Sequence, residues 1–114
     1  MEIIYGNTPS KSNCYRIGHK GLYKTKALTS YENSFYMQLT GKLRGVMIDG
    51  FFEFYVDVYY PSARSDLDNS LKVILDSLQK TKTIKNDNKC VKIVARRFID
   101  KKEPRVEFEI KVIE

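Results

Sequence analysis

Ten consecutive residues, Phe51 to Tyr60, alternate so strictly that they leave little choice of structure. Phe52, Phe54, Val56, Val58 and Tyr60 fall on one side, all apolar or aromatic. Phe51, Glu53, Tyr55, Asp57 and Tyr59 fall on the other, with carboxylates among them. A period of two is that of a β-strand, and a wholly apolar face marks one strongly buried side. Asp49-Gly50 gives a turn signal before the strand, and Pro61 ends it because it has no N–H for a ladder.

Two helical stripes are available to cover that face. Leu28, Tyr31, Phe35, Leu39 and Leu43 recur at helical spacing. Thr29 and Glu32 have capping-box spacing at its start, and Gly41 or Gly45 is expected to end it. A second helix is expected from about Asp66 or Asp68, with Leu67, Leu71, Ile74, Leu75 and Leu78 on one face. Asp68, Lys72 and Asp76, spaced i, i+4, i+8, share a different, polar flank of that helix.

Residues 2–5 read as a short first strand, followed by a long, glycine-punctuated basic loop. Cys90 to Ile99 reads as a strand with Val91, Ile93 and Ala95 on one face. Arg105 to Ile113 alternates with Val106, Phe108, Ile110 and Val112 inward. The short connection between these two strands predicts that they pair antiparallel. The order is β-α-β-α-β-β, which predicts one α+β domain over residues 1–114, a small mixed sheet packed by two helices.

Composition narrows the class. The chain carries a net charge of +6, unevenly spread. No acid occurs between Ile3 and Tyr31, a span holding Lys11, Arg16, Lys20, Lys24 and Lys26. From Lys80 to Lys102 the bases Lys80, Lys82, Lys85, Lys89, Lys92, Arg96, Arg97, Lys101 and Lys102 face only Asp87 and Asp100. Two basic segments flanking an acidic centre suggest a polyanion, most simply nucleic acid. No apolar run approaches the roughly 20 residues of a membrane span. The first residues do not resemble a signal peptide, so a cytoplasmic location is expected. Cys14 and Cys90 lie outside any CxxC pair and His19 is the single histidine, which argues for reduced thiols and against a zinc site.

The acidic centre is the chemical feature. Asp66, Asp68 and Asn69 stand where the strand hands over to the helix, and Asn86-Asp87 follow in a turn. Oxygen donors at this density suit a hard cation such as Mg²⁺ or Mn²⁺. If the turn at 85–89 folds back beside the start of the helix, Asp66, Asp68 and Asp87 meet, with Lys72 one turn away. Such a set can support metal-assisted phosphodiester hydrolysis. Each part also has a plainer reading: an N-cap at Asp66 or Asp68, an i,i+4 pair at Asp68 and Lys72, a simple turn at Asn86-Asp87.

The combination Asp66-Leu67-Asp68-Asn69, Lys72, Asp76, then Asn86-Asp87 and Val91, resembles the RusA-type Holliday-junction resolvase family, with its D-x-D-N-x-x-K segment and later acidic pair. The stretch Pro9-Ser10-Lys11-Ser12-Asn13-Cys14-Tyr15-Arg16 is similar to that family's N-terminal loop. The resemblance implies a Mg²⁺-dependent homodimeric endodeoxyribonuclease that nicks four-way DNA junctions symmetrically in recombination and repair. It implies Asp66, Asp68 and Asp87 as metal-binding carboxylates and Lys72 as the catalytic lysine. Lys11, Asn13, Arg16, Arg64, Asn69 and Lys85 are the expected DNA contacts. Asn86 departs from the family's usual acid. A general branched-DNA or flap nuclease, and a DNA-binding module without cleavage, are the alternatives.

Overall fold

The computed structural model describes residues 1–10, 14–19, 21–64 and 67–113. Three of the expected site residues, Lys11, Asn13 and Asp66, lie outside the described residues. The elements are β1 (Glu2–Tyr5), β2 (Tyr15–Gly18), β3 (Gly21–Lys24), α1 (Lys26–Gln38), β4 (Phe52–Tyr60), α2 (Leu67–Lys80), β5 (Cys90–Ile99) and β6 (Arg105–Val112). One turn of 3₁₀ helix at Asp87–Lys89 precedes β5.

The α+β expectation holds: a mixed four-stranded sheet in the order β1-β6-β4-β5 is packed by two helices. The alternation of residues 52–60 is realised in full. Phe52, Phe54, Val56, Val58 and Tyr60 are all buried, and the residues between them are half-buried on the opposite face. Ile4, Val106 and Phe108 extend the apolar face across β1 and β6, and Leu28, Tyr31, Phe35, Ile74 and Leu78 cover it from the helices. Phe108 stacks on Phe35 and tilts against Phe54, with ring centroids about 6 Å apart in both pairs.

Three local expectations are corrected. The helix α1 starts at Lys26, because Thr25 rather than Thr29 is its cap. The Thr25 hydroxyl accepts from the Leu28 N–H at 3.3 Å, which places Thr29 inside the first turn. Glycine does not end the helix either. Leu39 turns to extended backbone (φ −65°, ψ 136°) and buries its side chain, while Gly45 takes its positive φ of 74° in the turn beyond.

The third correction concerns β5 and β6, which do not pair. The central strand β4 lies between them, parallel to β5 and antiparallel to β6. That order gives the most apolar strand two neighbours and leaves β5, largely exposed, at the edge. Residues 100–104 need to span only two inter-strand spacings, about 10 Å. Asp100 fixes this crossing. Its carboxylate accepts from the backbone N–H groups of Lys102 and Glu103 (both 3.1 Å) and from Arg105 at 2.8 Å.

The long basic loop contains a hairpin, β2–β3, that pairs Tyr15 with Lys24 and Gly18 with Gly21. Gly21 has φ +103°, and the Tyr23 ring lies against Gly18, where a Cβ would come within 2.8 Å of it. Nearly every residue of the hairpin is exposed, so no buried face marks it in the sequence. The sheet face turned away from the helices carries no covering layer among the described residues. No described helix is long and apolar enough to cross a membrane.

Candidate active site

Helix α2 presents two faces. Val73, Ile74, Leu75 and Leu78 are buried, while Lys72 and Asp76 stay on the solvent-facing flank, one turn apart. Two small polar residues, Ser70 and Ser77, are buried with them. The Tyr60 hydroxyl donates to Ser70 Oγ at 2.6 Å, and the Ser77 hydroxyl donates to the Val73 carbonyl at 2.9 Å. Satisfied in this way, they sit in the interior without an unpaired hydroxyl.

The turn carrying Asp87 folds back onto this helix, further along it than its beginning. Asn86 caps the 3₁₀ turn by accepting from the Asn88 N–H at 3.0 Å, and the Asp87 N–H donates to Gln79 Oε1 at 3.3 Å. The Asp87 carboxylate then meets Lys72 Nζ at 2.8 Å, and Asp76 meets the same ammonium at 3.0 Å. Hydrogen bonds to Asp87 and then Asp76 raise the Lys72 pKa above its ordinary value, so the side chain is a fixed cation.

The other expected residues are less gathered. Asp68 is exposed at the start of α2, and its carboxylate accepts from the Asn69 N–H at 3.0 Å. Among the described residues no ion pair joins Asp68 to Lys72, whose partners are Asp76 and Asp87. Likewise, no group of three His, Cys, Asp or Glu among them is close enough to hold a metal. Arg16 lies exposed on β2 and Arg64 exposed before α2, while Asn69 is half-buried in the first turn of α2. Lys85 reaches Asp49 at 3.6 Å. Asn86 uses its side chain in the cap, so its difference from an acid falls on the turn rather than on the Lys72 cluster.

Carboxylate oxygens are the donors that a hard divalent cation takes. Asp76 and Asp87 converge on one positive charge, and Mg²⁺ commonly takes only one or two carboxylates, completing its shell with water and phosphate oxygens. Asp68 stands one turn from Lys72 on the same helix.

Glu32, read from its spacing as the acid of a capping box, has a different role. It is nearly buried on α1 and is held by Lys24 at 3.1 Å and Lys80 at 2.6 Å. It ties the hairpin to both helices. Its partners lie 8 and 48 positions away, so no local spacing in the sequence identifies the tie. Cys14, beside it, is a buried free thiol whose pKa is raised by burial, which keeps it protonated and unreactive.

A comparison with curated proteins returns no match. A family model described as endodeoxyribonuclease RusA matches residues 7–111 of the chain.

Proposed function

Because the chain belongs to the RusA endodeoxyribonuclease family, we propose that it resolves four-way (Holliday) DNA junctions as a homodimer, by paired symmetric nicks that require Mg²⁺ or Mn²⁺. Asp66, Asp68 and Asp87 are the metal-holding carboxylates in this reading. The observation that carries it is the Lys72 ammonium held by Asp87 and Asp76 on the flank of α2. The metal, when bound, would activate water and stabilise charge on the phosphoryl group.

The chain's own residues have separate roles. Asp87 holds Lys72 in place and keeps it charged. Lys72 contacts the scissile phosphate as a cation. Lys11, Asn13, Arg16, Arg64, Asn69 and Lys85 contact the backbone of the flanking arms, where basic and amide groups position DNA without reading its sequence.

Two cuts related by two-fold symmetry call for two sites related in the same way. The uncovered face of the sheet supports a second copy there. Its aromatic rings are stacked: Tyr59 lies on Phe98 with centroids 4.9 Å apart, and Arg105 lies over Tyr59 at 3.8 Å. Its charges are mixed: Glu53, Asp57, Glu107 and Glu109 stand among Lys92, Arg96, Arg105 and Lys111. A face balanced in sign on a chain of net charge +6 suits another protein surface better than a polyanion.

The test is a substrate panel. With Mg²⁺ the protein is expected to nick opposed strands of a synthetic four-way junction and to leave linear duplex intact. Equal cutting of flaps and forks would make it a general branched-DNA nuclease. Junction binding without cutting in either metal would make it a binding module.

A further inference from the structure

A cavity of about 380 Å³ opens beside the Lys72–Asp76 pair, between the hairpin and the two helices. Its volume lies toward the small end of ligand-binding pockets. The floor is apolar and buried: Cys14, Leu28 and Val73. The rim is polar and charged, with the Glu32 and Asp76 carboxylates, the Lys72 and Lys80 ammonium groups and the Gln79 amide. The half-exposed ring of Tyr15 stands at the lip.

Phosphodiester cleavage gives no use for an apolar floor. A phosphate calls for cations and amide donors, which Lys72, Lys80 and Gln79 supply at the rim, while the floor of Cys14, Leu28 and Val73 offers neither. The part of a DNA strand that is apolar on its faces and carries donors and acceptors on its edge is the nucleobase. The base next to the cut is also the one within reach when the phosphate lies against Lys72. We propose that this cavity accepts a nucleobase unstacked from the cleaved strand beside the scissile phosphate, with Tyr15 stacking on the base and Glu32 reading its edge. The proposal rests on the nuclease reading above and adds a specificity site to it.

The physical chemistry favours the exchange. Bases at a branch point have lost part of their stacking and cost less to extrude than bases in a continuous duplex. An aromatic ring restores stacking for any base, and the edge contacts then decide among bases. Glu32 is suited to this because Lys24 and Lys80 hold its carboxylate in place at the rim.

The experiment is a coupling cycle on cutting rates. Junctions carrying one abasic residue at each nucleotide flanking the cut are compared for wild type, Tyr15→Ala and Tyr15→Phe. At one position the abasic residue is expected to slow wild type roughly tenfold, the scale of one lost base–aromatic stack. Tyr15→Ala should be slowed by a similar factor on the intact junction and show no further loss on the abasic one. Tyr15→Phe, which keeps a ring to stack, should retain the abasic penalty that Tyr15→Ala loses. On junctions randomised at that position, Glu32→Gln should change the preferred base.

Wild type that cuts intact and abasic junctions equally at every position would overturn the base pocket while leaving the nuclease reading intact. Multiplying losses in Tyr15→Ala would do the same. A wild-type protein that cuts no junction would end both. Tyr15 is half-exposed on the hairpin, and matched thermal melts of the variants separate these outcomes from misfolding.

Discussion

Asp87→Asn separates the chemistry of the site from its contribution to folding. The carboxylate lost is 2.8 Å from Lys72, with side-chain exposures of 46% for the lysine and 26% for the acid. Pairs this accessible contribute about 0.2–1 kcal/mol, because water screens them and two side chains must be ordered to make them. Lys72 also keeps Asp76 at 3.0 Å, so no cation is stranded. Asparagine retains an acceptor for the same hydrogen bond. The substitution should therefore cost about 1 kcal/mol or less, a Tm decrease of roughly 3–6 °C for a chain of this size, with no change in the urea m-value. Junction cutting should fall about 100-fold or more, and junction binding should be nearly unchanged. Urea denaturation, a gel-shift titration and a single-turnover cleavage time course, all on one preparation, measure the three quantities. A loss above about 3 kcal/mol would make Asp87 a structural residue, and wild-type cutting would remove it from the site.

Other outcomes follow from the same geometry. Lys72→Ala should slow cutting more than it weakens junction binding, and equal losses would reduce Lys72 to a phosphate contact. Phe108→Ala removes a fully buried ring packed against Phe35 and Phe54 and should cost about 3–5 kcal/mol in urea denaturation; a loss below 1 kcal/mol would contradict the described core. Junction affinity should fall linearly in log salt, and a flat response would contradict the basic-surface reading. Burial holds the Tyr31 phenol well above its ordinary pKa, so the unfolded chain loses that proton first. Stability should be insensitive to Tyr31 below about pH 10 and fall above it, with Tyr31→Phe showing a smaller alkaline loss; identical alkaline profiles would refute the assignment.

What could be read in the chain beforehand follows from how far apart the interacting residues lie. The face of β4 and the apolar stripe of α2 are local patterns, and both are seen in the fold. The hairpin β2–β3 was hidden because Tyr15, Arg16, Ile17, Leu22 and Tyr23 are exposed, so no period of two distinguishes inside from outside. The crossing of residues 100–104 over β4 was hidden because a short link between strands usually makes a hairpin, and here the pull of β4 into the centre of the sheet prevails. In the site, the i,i+4 spacing of Lys72 and Asp76 placed them on one flank. The return of Asp87 to the middle of α2 depends on its backbone bond to Gln79 and on the cap at Asn86. The tie from Glu32 to Lys80 joins two helices and leaves no trace in either one's periodicity.

The proposal gives the acidic cluster and Lys72 the work of a metal-dependent junction nuclease. Its most direct test is a titration of Mg²⁺ against wild type and Asp68→Asn on a strand-labelled four-way junction, with products resolved on a denaturing gel. Paired nicks at symmetric positions should appear with metal, vanish with a chelator, and be absent for Asp68→Asn at every metal concentration. Nicks from Asp68→Asn at the wild-type rate, or none from wild type in any divalent metal while it still binds the junction, would contradict it.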